Sequence, residues 1–382
     1  MKIDQKTVDD VALTLPDEMR EPVRWLYGYM VQVCGNSRVR LSARFTQVGH
    51  PYDQSYIFKL FTGQLINPKT GKIGEKQMLN WLDAIEALRS AEKGPLAGRG
   101  IPPVETEVVR MVRDAIDAVR RPERISKWLF ISAPTGRQKS YATAWYQSEH
   151  NHTSTYRLEA PARPVAAHLV AELSEAVCHT SADLYYERIA NIRANLNGTK
   201  CVIIDNAQRL YNPRGGNRQD CFSTLQKLQD EIGFSLVLIF VRDVFIMNGK
   251  KQSSDFIDDM TNGDASGYFS QLIGRIGGLE NVLRLPDETC DEDLLAFAKT
   301  VGMTEPGAKL CLPILRHLDR STGNIRVLLQ TLQNAADMAR ANEQKEINPL
   351  DLCEVVPTDK LDSVQRERLE ALINKIREKQ EA

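Results

Sequence analysis

The stretch Trp128-Leu-Phe-Ile-Ser-Ala-Pro-Thr-Gly-Arg-Gln-Lys-Ser140, followed by the helical run Tyr141–Glu149, decides the fold of this 382-residue chain. Trp128–Ser132 reads as a buried strand, Pro-Thr-Gly as a turn, and Lys-Ser as the opening of a helix. That context lets main-chain N–H groups and the positive end of a helix cradle a phosphate. On the pattern G-x-x-x-x-G-K-[ST], Lys139 would reach the β and γ phosphates and Ser140 would bind Mg²⁺. The candidate nucleotide contacts are therefore Ala133, Pro134, Thr135, Gly136, Arg137, Gln138, Lys139 and Ser140. Ala133 and Gln138 stand where that pattern has its two glycines.

Some sixty residues on, Cys201-Val-Ile-Ile-Asp205 is an apolar strand ending in a carboxylate. An Asp at the C-terminal end of a buried parallel strand is placed to hold a hydrated Mg²⁺ beside the loop. Asp205 joins Ser140 as the expected metal pair, with ATP and Mg²⁺ as expected ligands. The next residue is Asn206, where an ATP-hydrolysing site of this class carries Glu. An amide cannot take a proton, so a general base worth roughly 10²–10⁴ in rate is missing. Strain at Gln138 of roughly 1–3 kcal/mol would cost about 5- to 150-fold in affinity. A micromolar site survives that loss at cellular ATP; turnover does not as easily survive the missing base. The expectation is ATP binding with weak or absent hydrolysis.

Outward from this pair, Thr153–Leu158, Leu236–Val241 and Val282–Leu285 are further short apolar runs separated by helical stretches. Strands apolar on both faces and spaced by helices predict a parallel α/β sheet. The expected division is 1–90 helical, 91–103 a Gly/Pro-rich linker, 104–286 α/β, 287–356 a helical lid, and 357–382 a charged, solvated helix. The polar segments Tyr211–Arg218 and Asn248–Ser254 read as insertions in the α/β block.

Composition bounds the partners. Lys+Arg 49 against Asp+Glu 50 gives a net charge of −1, so any polyanion-binding surface must be local. One exists: between positions 38 and 76, Arg38, Arg40, Arg44, Lys59, Lys69, Lys72 and Lys76 face only Asp53 and Glu75. Leu41–Gly49 and Tyr52–Phe61 read there as two short helices about a glycine turn, a helix-turn-helix-like unit. Gln54, Ser55 and Lys59 are its expected DNA contacts, with Lys69, Lys72 and Lys76 on phosphates. Seven scattered cysteines without a C-x-x-C pair predict a reducing, cytoplasmic setting rather than a disulfide framework or zinc finger. The longest apolar run, Leu236–Val241, is far too short to span a membrane.

Further pieces lie in order along the chain: Val104-Glu-Thr106, Val202-Ile-Ile-Asp-Asn-Ala207, Leu236-Val-Leu238, Gly274-Arg-Ile276 and Gly323-Asn-Ile-Arg326. With the phosphate loop, they resemble the transposition-associated AAA+ ATPases, above all the B protein of phage Mu and its TnsC-type (TniB-like) relatives. The resemblance runs from about Arg38 to Val355. It implies an AAA+ domain with a five-stranded parallel sheet and an oligomer, ring or filament, on double-stranded DNA with little sequence preference. It also implies recruitment or activation of a transposase, with nucleotide as the assembly switch. By the same resemblance Arg275 would be the finger reaching a neighbour's γ-phosphate, and Arg326 the second sensor. The polar first sensor of that family is replaced by Phe240-Val241. The alternative is a DNA-binding adaptor whose nucleotide site is purely structural. A third reading is a slow ATPase in which Asp243 or Gln208 stands in for the missing base.

Overall fold

The computed structural model describes residues 4–68, 70–92, 104–150, 154–163, 165–178, 184–211, 220–247, 250–255, 257–258, 274, 277, 281–322, 325–357 and 361–381. Arg275 and Lys69, and the segment 212–218 of the first polar insertion, lie outside these residues.

The first helices are α1 (Gln5–Thr14), α2 (Asp17–Gln32), α3 (Arg38–Gln47), α4 (Gln54–Phe61) and α5 (Glu75–Glu92). They close around a core of their own that includes Trp25, Tyr29, Phe45, Phe61 and Trp81. Tyr52 stacks on Trp81 with ring centroids 4.1 Å apart, fixing the approach to α4 against α5. Asp53 starts α4 by accepting the N–H groups of Ser55 and Tyr56, as an N-cap carboxylate does.

Next come α6 (Glu107–Arg120), β1 (Trp128–Ala133), α7 (Lys139–Glu149), β2 (Thr155–Glu159), α8 (Ala166–Cys178) and α9 (Tyr185–Asn195). They are followed by β3 (Cys201–Asp205), α10 (Asp220–Ile232), β4 (Ser235–Met247), β5 (Lys250–Asp255) and β6 (Val282–Arg284). The strand order is β2-β3-β4-β1-β6, every neighbouring pair parallel. Alternation along each strand feeds two cores. Leu129, Ile131, Ile203 and Ile239 pack under α6, α7 and the C-terminal helices, while Phe130, Val202, Ile204 and Leu238 pack under α8 and α10. Both faces are covered, which is why these strands read as continuous apolar runs. On α6, Val109, Val112, Ile116 and Val119 are buried at helical spacing. Each such side chain contributes about 1.5–3 kcal/mol on leaving water.

The outer half of β4 leaves the parallel sheet and pairs antiparallel with β5, Arg242 opposite Asp255 and Met247 opposite Lys250. The polar segment Asn248–Ser254, expected as a loop, therefore contributes most of a strand. Its sequence has no strand periodicity; main-chain pairing to β4 makes it extended, a tertiary effect that local propensity does not carry.

The lid comprises α11 (Asp291–Thr300), α12 (Glu305–Thr322), α13 (Ile325–Ala341) and α14 (Pro349–Val355), followed by α15 (Ser363–Glu381). The last helix corrects the expectation of a solvated tail. Leu369, Ile373 and Ile376, at i, i+4 and i+7, are buried in the same core as the lid helices. The balanced charges of the segment mask that apolar stripe in a composition count. No helix among the described residues is long and apolar enough to cross a membrane.

Candidate functional site

β1 delivers the chain into the phosphate loop at the C-terminal edge of the sheet, between β4 and β6. Gly136 has φ 83° and Gln138 φ 56°, so the loop makes two left-handed turns before α7 begins. The second is adopted by a residue with a Cβ, a conformation that costs roughly 1–2 kcal/mol outside glycine. The side chain offsets that cost. The hydroxyl of Thr106 donates to Gln138 Oε1 at 2.7 Å, inside the protein. Thr106 also caps α6 by accepting from the Val109 N–H at 3.3 Å. Two residues earlier, Val104 exchanges both main-chain hydrogen bonds with the hydroxyl of Tyr141, at 3.0 and 2.9 Å. Val104-Glu-Thr106 is thus bound directly to the loop and its helix. Burial drives the Tyr141 phenol well above its usual range, so it stays protonated and donating.

Lys139 folds back and donates to the carbonyls of Ala133 at 2.8 Å and Pro134 at 2.6 Å. Ser140 donates to Asp205 Oδ2 at 2.6 Å, so the loop and the end of β3 meet as the sequence predicts. Thr135, Gly136, Gln138, Lys139, Ser140, Asp205, Asn206 and Val241 line a cavity of about 180 Å³ that Phe297, Ile325, Arg326 and Leu329 close from the lid. Arg137 also lines it, yet its guanidinium turns away into a buried ion pair with Asp319 of α12, 2.7 Å long. The Ile325 N–H at the start of α13 donates to the Gly136 carbonyl at 3.3 Å. Loop and lid are fastened together at two points.

Three groups escaped the sequence reading. Arg157 on β2 donates to Asp205 Oδ2 at 3.0 Å. Glu159, level with Asp205 in the β2–β3 register, accepts from the Asn206 amide at 3.0 Å and from Arg209 at 2.6 Å. Asp319 is the third. The signal for the first two was charge at alternate positions of a strand whose other residues, Tyr156 and Leu158, are buried. No sequence signal announces Asp319, which lies 182 positions from Arg137.

Asn206 itself is left-handed at φ 56° and lies at the cavity wall. Gln208 accepts from the Val241 N–H at 3.2 Å and reaches Asn206 Oδ1 at 3.5 Å. Amides thus join the position after Asp205 to the fourth strand. Asp243 lies beyond the parallel sheet, opposite Ser254 of β5. Gln54, Ser55, Lys59, Lys72 and Lys76, none of which lines this cavity, are all exposed on α4, α5 and the segment between them. Ser55 donates its hydroxyl to Asp53 at 2.7 Å.

Ser140 and Asp205 are oxygen donors suited to a hard cation, but among the described residues no group of three or more His, Cys, Asp or Glu could hold a metal. A Mg²⁺ there would depend on phosphate oxygens and water for its other ligands, as Mg²⁺ at nucleotide sites does.

The segment 126–245, which carries the loop, β2, β3 and most of β4, matches the family model described as an AAA domain. Residues 126–245 form an AAA domain. Such a domain generally binds ATP with Mg²⁺. No curated protein matches the sequence. Among the solved structures to which the chain is similar are three from two organisms. The first is the Thermotoga maritima RuvB Holliday junction branch migration motor: 17% identity, TM-score 0.41, 76% of this chain and 81% of that one. The second is the Aeropyrum pernix ORC2 protein in its ADPNP–ADP complexes: 15%, TM-score 0.46, 71% and 72%. The third is the Aeropyrum pernix ORC1 protein in complex with DNA: 17%, TM-score 0.44, 70% and 68%. Likenesses at this level carry no functional weight.

Proposed function

We propose that this protein is a nucleotide-switched, DNA-binding AAA+ protein of the Mu B/TnsC kind. In this reading it binds ATP, assembles on double-stranded DNA with little sequence preference, and recruits or activates a transposase, with weak or no hydrolysis. The observation that carries it is the convergence of Lys139, Ser140, Asp205 and lid residue Arg326 on one cavity. A ligand filling that cavity touches both the AAA domain and the lid, so its binding energy stabilises one lid position over others. Asn206, which cannot act as a base, supports a switch rather than a motor. The helical unit 1–90 supplies the basic, exposed face for DNA, and the nucleotide lies at an interface between protomers, for which the family resemblance implies Arg275 as the finger. Binding across that interface stabilises the assembly by mass action without turnover.

A DNA-binding assay with ATP, ADP and no nucleotide, read by electrophoretic shift and negative-stain microscopy, tests this. Assembly on DNA with ATP and its loss without nucleotide are expected. DNA binding indifferent to nucleotide overturns the switch and leaves an adaptor with a structural nucleotide site.

A further inference from the structure

The acidic side chain among the described residues lining the cavity is that of Asp205, and its carboxylate is already taken up by protein donors. Oδ2 accepts from Ser140 at 2.6 Å and from the Arg157 guanidinium at 3.0 Å, and Oδ1 accepts from the Asn206 N–H at 2.9 Å. Arg157 is not a surface arginine that chanced on an acid. β2 runs in register with β3, placing Arg157 beside Ile203, two residues before the Glu159–Asp205 pair. Tyr156 and Leu158 pack into the opposite core, which commits Arg157 to the face of α7. There its Nε donates to the buried hydroxyl of Thr143 at 3.2 Å, one turn along α7 from Ser140. Thr143 in turn donates to the Lys139 carbonyl at 3.0 Å. The guanidinium is held at both ends by the elements that build the phosphate site.

A guanidinium stays charged at every accessible pH, and its planar fork suits phosphate oxygens as well as carboxylates. Mg²⁺ at a nucleotide site leans on one or two carboxylates plus phosphate oxygens. Here the carboxylate it would lean on is neutralised by a cation the fold itself positions. We infer that Arg157 is the resident counter-cation of this phosphate site, so that nucleotide is held there almost independently of a divalent metal. This inference rests on the nucleotide-binding reading above. Arg157 does not itself line the cavity; it acts through Asp205, whose charge it offsets and whose orientation it sets. Without a metal the triphosphate therefore meets a neutral pair rather than a bare carboxylate, with Lys139 in the same cavity to meet the phosphates.

The test is calorimetry of ATP binding to the full-length protein, once with excess Mg²⁺ and once with excess EDTA. The wild-type affinities in the two conditions are expected to agree within about tenfold, or about 1.4 kcal/mol. Arg157→Gln is expected to lose more than about tenfold in EDTA and to recover most of that loss in Mg²⁺, while Arg157→Lys keeps part of the metal independence. Thr143→Val, which removes one anchor of the guanidinium and leaves Asp205 untouched, gives a smaller shift of the same sign and guards against a misfolded Arg157 variant. A wild-type affinity that falls by more than about tenfold on chelation overturns the inference and leaves nucleotide binding standing. So does an Arg157→Gln protein that binds like wild type in EDTA. Absence of ATP heat under both conditions overturns the nucleotide reading itself and this inference with it.

Discussion

The hydroxyl of Thr106 lies 2.7 Å from Gln138 Oε1, so the residue that caps α6 also holds the left-handed turn of the phosphate loop. A glutamine at a position that asks for glycine is thereby part of a contact rather than a defect in the loop. The two effects are separable. Gln138→Gly relieves the backbone but leaves the buried Thr106 hydroxyl without its acceptor, a loss of about 1–3 kcal/mol. Gln138→Ala loses the same bond and keeps the left-handed strain. Urea unfolding should therefore place Gln138→Gly within about 2 kcal/mol of the wild type, because strain relief and bond loss oppose each other, and rank Gln138→Ala below Gln138→Gly by about 1 kcal/mol.

The Arg137–Asp319 pair is almost fully buried, the two side chains being 6% and 2% exposed, and Asp319 also accepts from the Thr289 main chain at 2.9 Å. Removing one partner strands the other, which costs about 3–5 kcal/mol. Arg137→Met should show that loss in equilibrium unfolding. Combined with Asp319→Asn, the cost should fall short of the summed single costs by about 1 kcal/mol or more. Strict additivity would mean that loop and lid are not coupled through this pair.

The contact of Asn206 with Glu159, 3.0 Å from amide nitrogen to carboxylate oxygen, sets what restoring the missing base can achieve. Asn206→Glu alone brings a second carboxylate against Glu159, and steady-state phosphate release should remain low. Exchanging the two, Asn206→Glu with Glu159→Asn, recreates an amide–carboxylate pair with the carboxylate at the cavity wall. Phosphate release should then exceed that of the single variant by about tenfold or more, within the 10²–10⁴ a general base supplies.

Lys59, Lys72 and Lys76 are exposed on the N-terminal helical unit. If they meet DNA phosphates, each change to Ala weakens binding about equally on unrelated sequences. Each should also reduce the slope of log affinity against log salt by about 1. Titrations at several salt concentrations, with ATP binding measured in parallel as a control, read this directly.

Leu369 on α15 is fully buried against the lid core. Leu369→Ala should destabilise the protein by about 2–5 kcal/mol, the range for a buried leucine truncated to alanine. A freely solvated terminal helix would show no measurable change.

Composition and periodicity alone determined much of this protein. Buried strands announce themselves as apolar runs because both of their faces meet a core, and Lys139-Ser140 open the helix that follows β1 while Asp205 ends β3, on the same edge of the parallel sheet. The apolar spacing of the lid helices was equally open to inspection. What only the tertiary structure decided are the partners of charged and polar side chains. Arg157 with Asp205, Arg137 with Asp319, and Thr106 with Gln138 join residues 48, 182 and 32 positions apart. Such bonds depend on direction and on an accuracy of tenths of an ångström, whereas the apolar pattern depends only on which face of an element is dry. For that reason the parallel strands could be read from the sequence, while the pairing of β5 with β4 and the charge balance inside the phosphate site could not.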